Sequence, residues 1–230
     1  MNWIEANGAS LRYDLSGNGR ETVVLPHEVG GCIESWDDAA PAFRREFRVL
    51  RYDQRGFGMS EKTRVMTMDG IVADLVALLD ALRITEPVHL AGCAMGAAAA
   101  LAFAGRHPAR VGRIVAASPA TWANADPAAA RKRIEETERG GVRAVESGSL
   151  AASYPEVVRA LDRARFERFR RRWLGNDPEA MAAMAAKVAA QIPGARYVEA
   201  SSGHFMAIET PDLFNELAIP FLLRGAVGAR

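Results

Sequence analysis

The sequence is short of cysteine, of histidine and of unbroken apolar stretches, and each shortage removes a class of protein from consideration. Two cysteines, Cys32 and Cys93, do not make a disulfide framework, and a chain of 230 residues needs none; they suit a reducing cytoplasm. No apolar run reaches the length that spans a bilayer, and residues 1–5 offer neither a basic n-region nor an apolar h-region, so an unexported, cytoplasmic protein is expected. The four histidines and two cysteines are scattered without metal-ligand spacing, and no glycine loop of the phosphate-cradling kind occurs; neither a metal nor another cofactor is implied. Charge of one sign is lacking too. A formal net charge of +1 gives no electrostatic reason to expect nucleic acid or an anionic membrane, so the expected partner is a small molecule, and the reading allows a homodimer.

What is there is an alternation of strands and helices. Residues 10–15 alternate apolar and polar as a half-buried strand does, residues 22–25 read as a fully buried strand, and residues 47–52 as another. Residues 68–82 carry apolar side chains at helical spacing (Ile71, Leu75, Leu78, Leu79, Leu82), which predicts a helix packed on the sheet with Asp69, Asp74 and Asp80 on its solvated face. An apolar strand from His89 runs into an alanine-rich helix over 97–105, and residues 113–118 supply the next buried strand. Such alternation means right-handed crossovers and a parallel sheet, with ligands collecting at the C-terminal ends of the strands.

The stretch Gly92-Cys93-Ala94-Met95-Gly96 lies where that apolar strand meets the alanine-rich helix. Small residues two before and two after its centre let the backbone turn sharply enough to hold one side chain up at the sheet edge. It resembles the nucleophile elbow of the α/β-hydrolase family, and the resemblance extends over nearly the whole chain. Asp53-Gln54-Arg55-Gly56-Phe57-Gly58-Met59-Ser60 is similar to the family's characteristic loop, where Asp53, Arg55 and Ser60 read as turn-forming and bracing groups. Gly203-His204-Phe205 matches the turn in which the family carries its catalytic histidine. The resemblance implies a doubly wound, mostly parallel α/β sheet with an inserted helical lid: a core of residues 1–118 and 188–230, and a lid of residues 119–187. It also implies hydrolase chemistry, most like the 3-oxoadipate enol-lactonase and small-ester branch, on a small lactone or ester that carries a carboxylate.

Three departures from the family pattern bear on the chemistry. The central residue of the elbow, where the nucleophile belongs, is Ala94, which has neither hydroxyl nor thiol. Glu28 stands where the loop after the first buried strand ordinarily has glycine; that loop, through the N–H of Glu28 or Val29, and the Met95 N–H make the implied oxyanion hole. The strand and turn that carry the triad acid, on the order of thirty residues, find no match before the final strand at 196–200. Asp126 is the nearest candidate acid.

The base is therefore His204, with His89 and His107 in structural positions. Cys93 is off the centre of the elbow and reads as a packing residue. A carboxylate beside an oxyanion hole must be neutral through burial or serve as a base, or else it faces solvent or braces its loop. Ala94 has three readings: a serine removed by engineering, a natural chemistry in which His204 and Glu28 move protons or activate water without a covalent step (hydrolase, lyase or isomerase), or a catalytically silent binding relative. The arginines at 163, 165, 168, 170, 171 and 172 read as a solvated face with local ion pairs, or as a source of one inward arginine for a substrate carboxylate.

Overall fold

The computed structural model describes residues 1–63, 65–119, 127–154, 156–176 and 206–224. Its centre is a six-stranded sheet of β1 (Asn2–Ala6), β2 (Ala9–Ser16), β3 (Thr22–Leu25), β4 (Arg48–Tyr52), β5 (Val88–Cys93) and β6 (Val111–Ala117), in the order β1-β2-β4-β3-β5-β6. β4, β3, β5 and β6 pair in parallel, and β2 joins β4 antiparallel. Periodicity alone does not predict the strand at the N-terminus. Its signal is the turn: Asn7 and Gly8 have φ of +51° and +68°, the pair of positive angles that a two-residue hairpin needs, and they fold β1 onto β2.

Both faces of β3 and β5 are covered, which is why they read as continuous apolar runs. Alternate residues serve opposite faces. Val24, Leu50 and Leu90 pack under α2 (Met68–Ala81) and α3 (Ala94–Arg106) with Leu75, Leu78, Met95 and Phe103. Val23, Leu25, Val49 and Cys93 pack under α1 (Ala40–Glu46) with Phe43 and Phe47, and with Phe214 and Leu222 from further along the chain.

Helix α2 begins at Thr67, whose hydroxyl accepts the Gly70 N–H at 3.0 Å. Its acidic residues divide, contrary to expectation. Asp69 and Asp80 lie on the solvated face, whereas Asp74 is only 3% exposed. The loop after β4 crosses the helix there: Arg55 Nε donates to Asp74 at 3.0 Å and Asn7 Nδ2 at 2.7 Å. A carboxylate at that position is kept buried by two donors that helical spacing alone does not reveal.

Beyond β6 the described chain is helical, with α4 (Pro127–Gly140), α5 (Glu146–Ser153), α6 (Glu156–Leu161), α7 (Arg163–Leu174), α8 (Met206–Glu209) and α9 (Pro211–Arg224). The closing helix is tied back to the core by Arg113 Nη1, which donates to the Leu222 carbonyl at 2.6 Å, and by Asn215 Nδ2 on the Ala39 carbonyl at 3.2 Å. His204, Asp126, the expected strand at 196–200 and the expected gap before Met181 lie outside the described residues. Among the described residues, no helix is long and apolar enough to cross a membrane.

Candidate active site

The turn from β5 into α3 has no intervening loop: the strand ends at Cys93 and the helix starts at Ala94. Ala94 takes φ +50°, a left-handed angle that costs a residue with a Cβ roughly 1–2 kcal/mol. The flanking glycines make the turn sterically feasible. A methyl on Gly92 would lie 2.5 Å from the Gly96 carbonyl carbon, and one on Gly96 would lie 2.1 Å from the Pro26 carbonyl oxygen. The result is a strained backbone that presents Ala94 at the head of a helix, beside N–H groups that have no partner inside the helix, Met95 among them.

Above Ala94 is an apolar cluster. Ala94 packs with Val142, Val145, Leu150, Tyr154, Phe166, Phe169, Trp173 and Ile208, so these side chains roof the elbow. Cys93 points the other way, into the cluster with Val23, Trp36, Met206 and Ala207. Burial first, and then the charges of Glu28 and Glu209, push its thiol up to about 12, against the pull of the Ala207 N–H. A thiol that stays protonated and faces the opposite cluster packs the core.

The loop after β3 closes the site from the side. His27 is buried, its Nε2 accepting the Gln54 N–H at 2.9 Å while Nδ1 lies 2.7 Å from the Glu28 carbonyl, which fixes the proton on Nδ1. Gln54 Nε2 returns a bond to the His27 carbonyl at 2.8 Å. The Gly31 N–H then donates to the Glu28 carbonyl at 3.0 Å across a turn whose third residue, Gly30, has φ +74°, as such a turn requires. The last turn of α7 and the residues just after it seat on this turn. The Trp173 ring lies where a Gly30 side chain would be, and Asn176 Nδ2 donates to the Gly30 carbonyl at 2.7 Å. Val29, the second implied oxyanion donor, is thus held between the elbow and the end of α7.

Glu28 is 2% exposed. Its carboxylate lies across the face of Gly31, where a Cβ would meet it at 2.5 Å, and Oε1 accepts the Ser35 hydroxyl at 2.9 Å. Burial raises its pKa to about 7, opposed by its own N–H, the Ser35 hydroxyl and the charge of Arg172. The solvent-facing reading of Glu28 is therefore excluded; it is braced by Ser35 and held about half protonated near pH 7. The Asp53 loop is scaffold. Asp53 accepts the Ile33 N–H at 2.7 Å, the Met59 N–H at 2.8 Å and Arg12 Nη1 at 3.1 Å, while the Ser60 hydroxyl donates to the Asp53 carbonyl at 2.6 Å. Cys32, Glu34 and Asp53 bring ligand-type atoms within 4.8 Å of one another, but Arg12 bridges both carboxylates and supplies the positive charge there.

The structure thus gathers Ala94, Met95, Val29 and Glu28, and sets Cys93 apart. Sequence reasoning missed Tyr154, Trp173, Asn176 and Glu209. Trp173 lies on the apolar side of an arginine-rich helix, a pattern that marks it as buried, while Asn176 lies just beyond the helix end, where helical spacing marks nothing. Tyr154 is buried against Phe166 and Phe169, its hydroxyl pushed up to about 12 by burial and then by the charge of Glu209. Glu209, on α8, is a second buried carboxylate near Cys93.

A curated relative from Caulobacter segnis, named "Putative carbamate hydrolase RutD", is 28% identical over 258 aligned positions that cover 91% of this chain and 95% of the relative. That alignment is longer than the chain itself, so the relative carries internal residues that have no counterpart here. A RutD relative from Caulobacter sp. strain K31 is 37% identical over 110 residues, 47% of this chain and 40% of that protein. Among solved structures, the enol-lactonase from Burkholderia xenovorans LB400 superposes with a TM-score of 0.89 at 24% identity, covering 96% of this chain and all of that one. A hydrolase from Pseudomonas aeruginosa PA01 does so with a TM-score of 0.85 at 26% identity, covering 96% and 97%. The family model described as serine aminopeptidase, S33, matches residues 17–223. With its central parallel sheet and a family model matched across residues 17–223, the chain belongs to the serine aminopeptidase S33 family of α/β hydrolases.

Proposed function

We propose that this protein hydrolyses a small ester or lactone by direct attack of water, with no acyl-enzyme. The observation that carries the reading is Glu28: a carboxylate shut away from solvent beside the elbow, with a pKa near 7. A group poised there accepts a proton from water at neutral pH and returns it within the same turnover. Water adds to the carbonyl as Glu28 takes its proton; the oxyanion is met by the Met95 and Val29 N–H groups; collapse expels the alcohol, which leaves with a proton from Glu28 or from His204. The strained backbone at Ala94 then serves to aim the Met95 N–H, and the small side chain leaves room for the water that a serine would displace. The names of the similar proteins, a carbamate hydrolase and an enol-lactonase, support a carbonyl substrate of this size.

The test is turnover of p-nitrophenyl acetate and a panel of small lactones by the chain and by Ala94→Ser, side by side. The proposal expects the chain to turn over without a burst of p-nitrophenol, Ala94→Ser to add nothing, Glu28→Gln and His204→Ala each to abolish activity, and Cys93→Ala to retain it. Turnover by Ala94→Ser alone would show an elbow awaiting its serine and overturn the water mechanism. Silence from both, with ligand still bound, would leave a binding protein.

A further inference from the structure

The six arginines at 163–172 do not share one fate. Arg165 pairs with Asp38 and Asp162, Arg170 with Glu146 and Glu167. Arg163, Arg168 and Arg171 are exposed and line a shallow outer groove with Glu167. Arg172 differs from all of these. It is drawn partly inward, its Nε is buried with no hydrogen-bond partner, and none of its guanidinium nitrogens makes an ion pair among the described residues. Arg12 and Arg110 also bury an unbonded Nε, yet each anchors its guanidinium to a carboxylate through Nη1, and the buried Nε of Arg165 itself lies in ion-pair range of Asp38 and Asp162.

The position of Arg172 on α7 explains the direction. Phe169, one turn before it, packs in the apolar cluster with Ala94; Trp173, next to it, packs in the same cluster and on Gly30; Asn176, just past the helix end, bonds the Gly30 carbonyl. The helix therefore presents this flank to the elbow and the Glu28 turn. Glu28 feels the charge of Arg172 but accepts its hydrogen bond from Ser35 instead. A partly desolvated guanidinium that stops short of the Glu28 carboxylate is left with its donors to spend, and its planar fork matches a carboxylate best.

Resting on the hydrolytic reading above, we propose that Arg172 is the specificity residue of the site and binds a carboxylate carried by the substrate, away from the scissile carbonyl. The substrate class is then a half-ester of a dicarboxylic acid, or a lactone with a free carboxylate. The anion sits at Arg172 on the edge of the apolar cluster, leaving Glu28 free to act on water.

The experiment compares mono-p-nitrophenyl glutarate with p-nitrophenyl valerate, which have the same length and differ in the terminal carboxylate. The parent chain is expected to favour the glutarate. Arg172→Met raises KM for the glutarate by about ten- to a hundredfold, the worth of a charged hydrogen bond, and leaves the valerate within twofold. Arg172→Lys recovers part of the loss, which separates lost charge from lost folding, and Arg168→Ala changes neither substrate. Equal losses on both substrates would assign Arg172 to Glu28 or to packing and overturn the proposal, as would a parent chain with no preference. Binding of free glutarate separates the role of Arg172 from hydrolysis. It should raise the thermal midpoint of the parent and of Glu28→Gln, but not of Arg172→Met. That pattern without turnover on any ester sinks the hydrolytic reading alone; no stabilisation of the parent sinks the role of Arg172.

Discussion

Two buried carboxylates stand within a short stretch of one another at the edge of this sheet, and they are treated oppositely. Asp53 is fully shut from solvent and receives two backbone N–H groups and the Arg12 guanidinium. Glu28 is nearly as deeply buried, yet beyond its own N–H it receives one neutral hydroxyl, and Arg172 stays beyond ion-pair distance. Burial is thus common to both, and the donors supplied decide what each can do. A carboxylate with its donors in place holds loops together, whereas one left short of them is costly to ionise and therefore able to take up a proton near pH 7. The same division runs through the larger regions. The β2–β4 side of the sheet pairs its buried arginines, Arg12 and Arg51, with Asp53 and Asp14; the elbow and its roof are apolar, strained at Ala94, and flanked by Arg172, which has no ion-pair partner among the described residues.

The comparison breaks most visibly if the two acids are neutralised in turn. Asp53→Asn leaves Arg12 short of a buried partner and should cost about 3–5 kcal/mol in denaturant unfolding, while activity per folded molecule persists. Glu28→Gln should do the reverse, lowering kcat/KM by about a hundredfold or more with the fold intact. Similar losses of stability in both variants, with activity surviving Glu28→Gln, would erase the distinction drawn between them.

A second effect sharpens it through pH. The folded pKa of Glu28 is raised from 4.5 to about 7, so below pH 4.5 the group is protonated in both states and costs nothing. Between pH 4.5 and 7 the unfolded chain has already released the proton that the folded chain keeps, and stability falls as pH rises through that window. At pH 8 the ionised, buried Glu28 weakens the fold by about 3 kcal/mol at 1.36 kcal/mol for each pH unit. Glu28→Gln should therefore be more stable than the parent at about pH 8 and indistinguishable from it at about pH 4. The catalytic profile should run the opposite way, rising through about pH 7 as the base becomes available. Unfolding midpoints of the two proteins that stay parallel across this range would show Glu28 to be an ordinary exposed acid in solution.

Much of this was legible in the sequence, for reasons that differ from place to place. β3 and β5 announce themselves because both faces are buried, and Gly92 and Gly96 mark the elbow because only hydrogen fits against Gly96 and Pro26. Ala94, Met95, Val29 and Glu28 could be brought together because a parallel sheet gathers the ends of its strands at one edge. Asp74 was misplaced because helical spacing records a side chain's angle and says nothing of the loop that Arg55 lays over it. Trp173 and Asn176 were missed for a related reason. Their partner is the Gly30 turn, 146 residues from Asn176 in the chain, and no local pattern encodes so distant a contact. The raised pKa of Glu28 was only one branch of an alternative until the burial of its carboxylate was known.

Smaller effects probe the elbow itself. Gly96→Ala drives a methyl to 2.1 Å from the Pro26 carbonyl, and since both sides are backbone neither can yield cheaply; a loss of about 1–3 kcal/mol is expected. The smallest effect is the most telling. Ala94→Gly relieves the left-handed backbone at φ +50° but removes the methyl that packs under Phe169 and Trp173, and it loosens the unfolded chain. These contributions are each about 1 kcal/mol and oppose one another, so the unfolding midpoint should shift little in either direction. Activity should still fall, because the same substitution frees the backbone that aims the Met95 N–H. A clear gain in stability with undiminished turnover would mean that the strain at Ala94 aims nothing.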